Sequence, residues 1–184
     1  MAIKTFAVGE VLTASDTNTY LANAGLVYVT STTIGSGVSS VTVSNCFSST
    51  YDNYRIVLTG GAASTQVDLG MKLGSTTTGY YFGLIYLLYG SPTVNGYSVQ
   101  NTSSWPYAGS GTASVLDMCL DLRAPYLAKY TSITSQYTQS VANAGNGQQQ
   151  GFLANTTQYT DFTITPNTGT ITGGTITVYG YRKA

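Results

Sequence analysis

Apolar and polar residues alternate along most of this chain, from Leu26 onward. Residues 65–74 read TQVDLGMKLG and residues 114–123 read SVLDMCLDLR, so apolar side chains occupy every second position. Because successive side chains of a strand point to opposite faces, this pattern predicts β-strands with one buried face. Turn residues separate roughly nine or ten such segments, and no fixed period indicates a solenoid or a propeller. We therefore predict an all-β fold, an antiparallel β-sandwich that is jelly-roll-like.

The alternation also predicts which side chains form the core. The apolar positions of three segments are Tyr54, Ile56, Leu58, Val67, Leu69, Met71, Leu73, Leu116, Met118, Leu120 and Leu122. Residues 80–89 are apolar on both faces, which predicts a central strand or one buried at a subunit contact. Residues 25–35 and 39–47 look like a strand pair broken by GSG. Residues 165–169, TPNTG, supply turn residues between the last two Thr-rich strands.

The first 25 residues follow a different pattern, which predicts an extended arm and one short helix. Thr13 and Asp16 form a variant capping box at the start of the helix, and Gly25 is placed to end it. A helix of about eleven residues is marginal without packing partners, so the segment must dock on its own domain or on a neighbour. We divide the chain into an anchoring segment, 1–25, and a β-sandwich domain, 26–184. The predicted anchoring residues are Phe6, Val8, Val11, Leu12, Tyr20 and Leu21.

Charge is sparse, with seven basic and seven acidic residues and a formal net charge of zero. Nucleic-acid binding needs a concentrated Lys/Arg surface, so we expect no nucleic-acid partner. A near-zero net charge favours self-association, which indicates that much of the surface is covered in an assembly. The longest apolar run, residues 80–90, is too short to cross a bilayer as a helix, and the residues after Lys4 do not resemble a signal peptide. We expect no membrane insertion.

The sequence offers little material for catalysis or metal binding. Histidine is absent, which removes the usual base of a nucleophilic triad and the commonest metal ligand. Asp117 and Asp121 lie on one strand face about 13 Å apart, too far for a glycosidase pair. A pair from distant strands, such as Asp68 with Asp161, stays open. We expect no enzyme activity and no cofactor. Cys46 and Cys119 lie in apolar strand-like contexts, which favours two buried free thiols over the alternative of a disulfide.

Two uncharged segments are candidate contacts for a receptor or a glycan. Residues 101–111, NTSSWPYAGSG, place Trp105 and Tyr107 in a predicted polar loop, where flat amphipathic rings suit sugar stacking. The alternative is that Trp105 plugs one end of the sandwich. Residues 143–151, NAGNGQQQG, predict a second loop whose amides Gln148, Gln149 and Gln150 can hydrogen-bond a glycan. The alternative there is an exposed flexible loop without a ligand.

Residues 6–25, FAVGEVLTASDTNTYLANAG, resemble the N-terminal segment of small structural proteins of tailed bacteriophages, such as tail-fibre or minor structural proteins. Segments 49–60, STYDNYRIVLTG, and 173–183, GGTITVYGYRK, also resemble strands of such proteins. The resemblance implies a virion protein, made in the host cytoplasm, that forms a homotrimeric or otherwise symmetric fibre or knob anchored by its N-terminus. The residues that match the motif are Phe6, Gly9, Glu10, Leu12, Thr13, Ala14, Asp16, Asn18, Thr19, Tyr20 and Leu21.

The sequence is consistent with three functions. The first is a tail fibre or receptor-binding component that touches the host surface, with other virion proteins bound through its N-terminal arm. The second is a capsid decoration or head-fibre protein whose arm grips the major capsid protein. The third is a polysaccharide-degrading module, against which the absence of His and of a close carboxylate pair weighs.

Overall fold

A computed structural model describes residues 7–16, 25–141 and 144–183. Within these residues the regular structure is almost entirely β, with one short helix, α1, at Ala14–Asp16. The strands in chain order are β1 (Leu26–Thr33), β2 (Val41–Val43), β3 (Asn53–Thr59), β4 (Ala62–Ala63), β5 (Val67–Leu73), β6 (Tyr80–Leu88), β7 (Val94–Thr102), β8 (Trp105–Gly111), β9 (Leu116–Arg123), β10 (Thr131–Thr138), β11 (Gly145–Leu153), β12 (Phe162–Pro166), β13 (Ile171–Thr172) and β14 (Thr175–Tyr181).

The strands form two antiparallel layers. The larger sheet has the order β1-β14-β3-β9-β10-β11-β6-β7, and the smaller has the order β2-β12-β5-β8. The two sheets are joined where β8 pairs with the start of β9, opposite Asp117 and Leu116. β4 and β13 form a separate short pair. The chain passes repeatedly from one layer to the other, as it does in a jelly roll. The predicted all-β antiparallel sandwich is therefore confirmed.

The core lies on the inward faces of these strands. The predicted apolar positions of β3, β5 and β9 are all buried, because alternate side chains of each strand point between the layers. Large aromatic side chains fill the rest of the core. Phe47 contacts Tyr54 and Phe162, with ring centroids 4.8 and 5.8 Å apart. Removal of this apolar surface from water is the main favourable contribution to folding.

One prediction about strand partners is wrong. The predicted pair of residues 25–35 and 39–47 does not form, because β1 pairs with β14 and β2 pairs with β12. The GSG between them carries the chain from the larger sheet to the smaller one. The predicted turn at residues 165–169 is present, because β12 ends at Pro166 and residues 167–169 form a bend before β13 and β14. A turn signal gives the place of a reversal, but it does not specify which strand becomes the partner.

β6 is paired on both sides, with β11 and β7. Its inward residues Tyr80, Phe82 and Leu84 are buried, whereas Ile85 on the other face is 66% exposed. The strand is thus apolar on both faces, as its sequence predicts. One of these faces is open in the single chain.

Both cysteines are free thiols, as expected. Cys46 is buried, and its burial raises the pKa of the thiol to about 12. The expectation that Cys119 is also buried is wrong, since it is only half-buried. Cys119 lies on the outward face of β9, between Asp117 and Asp121, so the apolar residues next to it in the sequence point the other way.

The start of the predicted N-terminal helix is confirmed. The Thr13 hydroxyl accepts a hydrogen bond from the Asp16 backbone N–H at 3.1 Å, and the Thr13 N–H donates to the Asp16 carboxylate at 3.1 Å. This reciprocal pair is a capping box. Gly25 has a φ of 80°, the left-handed conformation predicted for the residue that ends the helix. Residues 17–24, between these points, lie outside the described part of the chain.

Candidate functional site

The N-terminal arm exposes its apolar side chains. Of the predicted anchoring residues, Val8 is 108% exposed, Val11 is 78% exposed and Leu12 is 49% exposed. Phe6, Tyr20 and Leu21 lie outside the described residues. Helix α1 has no buried residue. Burial of these Val and Leu side chains against an apolar surface would lower the free energy of the system.

The predicted aromatic loop is wrong, because residues 105–111 form strand β8. Trp105 is completely buried and packs edge-on against Tyr80, with ring centroids 4.9 Å apart. It belongs to the core, which is the alternative weighed for it, and its ring is not available to stack on a sugar. Tyr107 is half-buried and directs its ring toward Tyr97 and Tyr137. The sequence predicts a loop there because Pro and Ser residues surround Trp105.

The predicted glutamine loop is also wrong, because Gln148, Gln149 and Gln150 lie in the middle of strand β11. Gln149 points inward and is fully buried, and its Oε1 accepts a hydrogen bond from the Tyr107 backbone N–H at 3.0 Å. Gln148 and Gln150 point outward and are exposed. The Gln150 Nε2 donates to the Gln148 Oε1 at 3.1 Å, which holds the two amides side by side.

In β11 it is glycines, rather than apolar residues, that recur at alternate positions and indicate a strand. Gly145, Gly147 and Gly151 occupy inward positions of the strand. A Cβ atom at these glycines would lie 2.1–2.3 Å from backbone oxygens of β6. Only glycine therefore permits β11 to approach β6 so closely.

The outward glutamines form one wall of a shallow groove across β11, β6 and β7. We call it the glutamine groove; its volume is about 440 Å³. Gly83 lies in its floor, where an added Cβ would meet nothing within 4 Å. The residues that line the groove include Gly83, Ile85, Gly96, Ser98, Gln148 and Gln150.

An aromatic ladder continues from one end of the groove. Tyr81 and Phe152 stack with ring centroids 4.8 Å apart and an interplanar angle of 2°, and Tyr130 stacks on Phe152 at 6.1 Å. Tyr130 is 58% exposed and Phe152 is 39% exposed. Flat rings beside amide and hydroxyl groups offer both apolar contact and hydrogen bonds. Such a surface can bind a polar ligand even though the surface itself carries no charge.

Strands β6, β7, β10 and β11 contain no Asp, Glu, Lys or Arg. The charges of the same sheet lie instead on β3 and β9, where Arg55 donates to Asp121 at 2.8 and 3.0 Å. The Tyr181 hydroxyl also donates to Asp121 at 2.6 Å. Burial opposes ionisation of Asp121, but these hydrogen bonds outweigh it and hold its pKa below the ordinary value.

The carboxylate pair left open by the sequence does not fit a glycosidase. The Gly74 N–H donates to the Asp161 carbonyl, which places Asp161 at the end of the β5–β12 pair that lies beyond Leu73. Asp68 lies six residues before Gly74, about 20 Å along an extended strand. Glycosidase carboxyls are separated by about 5–9.5 Å. Within the described ranges, no group of three or more Cys, Asp or Glu side chains is arranged to hold a metal ion.

Comparison with protein-family models, with curated proteins and with solved structures found no match to this chain. In the part of the chain that the structure describes, no helix has the length and apolarity needed to cross a membrane.

Proposed function

We propose that this chain is a non-enzymatic structural protein of a tailed-bacteriophage particle, attached through its N-terminal arm and displaying the β-sandwich. The observation that carries the proposal is the exposure of Val8, Val11 and Leu12 ahead of the sandwich. Apolar side chains presented in this way support docking on another virion protein. The resemblance of residues 6–25 to the N-terminal segments of phage structural proteins supports the same role.

The proposal includes a symmetric assembly, a homotrimer, of this chain. Its support comes from the two edges of the larger sheet. Strands β1 and β7 are eight and nine residues long and contain no charged residue. Monomeric proteins usually protect long edges with charges, proline or bulges. Each edge pair has one bulge, but neither edge strand has a charge or a proline. Large apolar side chains are exposed on both edge strands, since Tyr28 is 60% and Val94 is 65% exposed. Contact between copies would cover them.

We assign the displayed sandwich a receptor-binding role in a tail fibre, with the glutamine groove as the contact for a neutral host-surface glycan. The groove and the aromatic ladder combine amides, hydroxyls and exposed rings without a charged residue. A capsid decoration protein would use the same arm on the capsid lattice. The copy number per particle separates these locations, because hundreds of copies indicate the capsid and a few dozen at most indicate the tail.

Incorporation into particles tests the anchoring role. In the double variant Val8→Asp with Val11→Asp, the arm gains two negative charges in place of two apolar side chains, while the sandwich is unchanged. We expect a folded protein that is lost from purified particles. The matched control is Thr156→Asp with Thr168→Asp, which adds the same charge at exposed positions of the sandwich. Quantitative mass spectrometry of particles measures incorporation. Normal incorporation of the arm variant would show that the arm does not anchor this chain.

A further inference from the structure

A second cleft opens on the opposite face of β6 from the glutamine groove. Its volume is about 460 Å³, within the range of small-molecule sites. We call it the tyrosine cleft, because four tyrosines and a single carboxylate line it. These residues are Asp68, Tyr86, Tyr97, Tyr107 and Tyr137.

The ring of Tyr107 is nearly perpendicular to the rings of two other tyrosines of the cleft. Tyr107 contacts Tyr97 with ring centroids 6.1 Å apart at 87°, and it contacts Tyr137 at 5.5 Å and 88°. Tyr137 is nearly buried at 8% exposure, whereas Tyr97 is 48% exposed at the mouth. Rings in perpendicular planes present π-faces to more than one direction. The cleft therefore offers several electron-rich surfaces to one ligand.

Neighbouring side chains hold the Asp68 carboxylate in place. The Tyr137 hydroxyl and the Gln139 Nε2 both donate to Oδ1, the latter at 3.0 Å. The Asn167 Nδ2 donates to Oδ2 at 3.1 Å. Gln139 is in turn held by Gln66, whose Nε2 donates to the Gln139 Oε1 at 2.8 Å. The carboxylate is thus oriented before any ligand arrives, which lowers the entropic cost of binding.

The negative charge of Asp68 has no cation beside it among the described residues. Its hydrogen-bond donors, Tyr137, Gln139 and Asn167, are all neutral. Lys72 lies four residues further along β5, about 13 Å away. Burial raises the pKa of Asp68 above its ordinary value, while the hydrogen bonds from Tyr137 and Gln139 act in the opposite direction. A cation in the cleft would offset the cost of burying this charge.

We propose that the tyrosine cleft binds a ligand through an alkylammonium group, with Asp68 as counter-ion and the tyrosine rings as cation–π partners. A methylated or primary ammonium presents a positive charge on a small, partly apolar body, which matches one carboxylate surrounded by ring faces. A neutral sugar would stack on the rings, but it would leave the Asp68 charge uncompensated. An anion would be repelled. The site does not depend on the proposed attachment to a phage particle.

Binding of choline to the purified full chain, measured by isothermal titration calorimetry, tests this site. The matched probe is 3,3-dimethylbutan-1-ol, the uncharged isostere of choline, and butylamine represents a primary ammonium. We expect choline or butylamine to bind and the neutral isostere to bind at least roughly tenfold more weakly. Equal binding of choline and its isostere would overturn the proposal. Binding of N-acetylglucosamine, with none of choline or butylamine, would also overturn it and would identify a glycan site.

Two variants locate the binding in the cleft. Asp68→Asn removes the charge while it keeps the size of the side chain, and Tyr97→Leu removes the exposed ring. We expect each to lower choline affinity roughly tenfold or more. The matched control is Asp161→Asn, which removes a carboxylate at the far end of the β5–β12 pair and should bind choline normally. Thermal unfolding verifies that each variant is folded. A folded Asp68→Asn protein with unchanged choline affinity would refute the role of Asp68.

Discussion

Arg55 and Asp121 face each other across β3 and β9, and the guanidinium donates from Nε and Nη2 to the two carboxylate oxygens at 3.0 and 2.8 Å. The pair lies on the outward face of the larger sheet, where both side chains are about one-third exposed. It is a bidentate arrangement, which fixes geometry better than a single contact. The charges of Arg55 and Asp121 therefore neutralise each other within the sheet. The uncharged strands β6, β7, β10 and β11 lie toward the other edge of the same sheet.

The lowered pKa of Asp121 predicts how this pair contributes to stability at different pH values. A carboxyl with a lowered folded-state pKa contributes stability above its unfolded pKa of about 3.9, and this contribution is lost as pH falls through the folded value. We expect Asp121→Asn to reduce the free energy of unfolding by roughly 0.5–1 kcal/mol at pH 7, since the pair is partly solvated. Urea denaturation at pH 7 and pH 3 measures the difference, which should shrink at pH 3. Asp52→Asn is the control for the more exposed Lys183 pair, and we expect a smaller change.

The burial of Trp105 predicts a structural rather than a ligand-binding role. Trp105→Ala should lower the free energy of unfolding by about 3–5 kcal/mol, because it leaves a large cavity in the core. Trp105→Phe should cost much less, because the buried indole Nε1 has no hydrogen-bond partner among the described residues. Chemical denaturation measures both variants. A well-folded, fully stable Trp105→Ala protein that fails to adsorb to the host would instead favour a ligand-binding role.

Two glycines on facing strands predict opposite responses to a methyl group. A Cβ at Gly147 would lie 2.3 Å from the Ile85 carbonyl oxygen, whereas a Cβ at Gly83 would meet nothing within 4 Å. We expect Gly147→Ala to destabilise the protein by roughly 1–3 kcal/mol and Gly83→Ala to leave stability nearly unchanged. Thermal and chemical denaturation of the two variants make the comparison. Equal tolerance at both positions would mean that residues 145–153 do not pair with β6.

The glutamine groove predicts a binding defect without loss of stability. Gln148→Ala with Gln150→Ala removes two exposed amides that no core side chain needs. If the groove contacts a host glycan, adsorption of particles should fall by roughly tenfold or more while the unfolding midpoint stays the same. The control is Gln158→Ala, an exposed glutamine outside the groove. Adsorption at the normal rate with both groove amides absent would remove the groove from the proposed function.

The sequence predicted buried strand faces better than it predicted strand partners and loops. Val67, Leu69, Met71 and Leu73 could be placed in the core because alternation is a local property of one strand. The pairing of β1 with β14 could not be predicted in this way. It joins residues some 150 positions apart in the sequence and depends on the arrangement of the whole sheet.

The strand that carries the glutamines was missed for a related reason. Propensity disfavours glycine in strands, yet Gly145, Gly147 and Gly151 are required there by the close approach of β6. The tyrosine cleft could not be predicted from the sequence either. Asp68, Tyr97 and Tyr137 come from three different strands, and no spacing in the sequence relates them.

An image of the assembled particle at side-chain resolution, with residues 1–25 visible, is the decisive measurement of how this chain is attached. We expect Val8 and Val11 to be covered by a different virion protein, with the sandwich projecting away from that contact. An arm packed entirely against the sandwich of its own subunit, or a particle that lacks this chain, would contradict it.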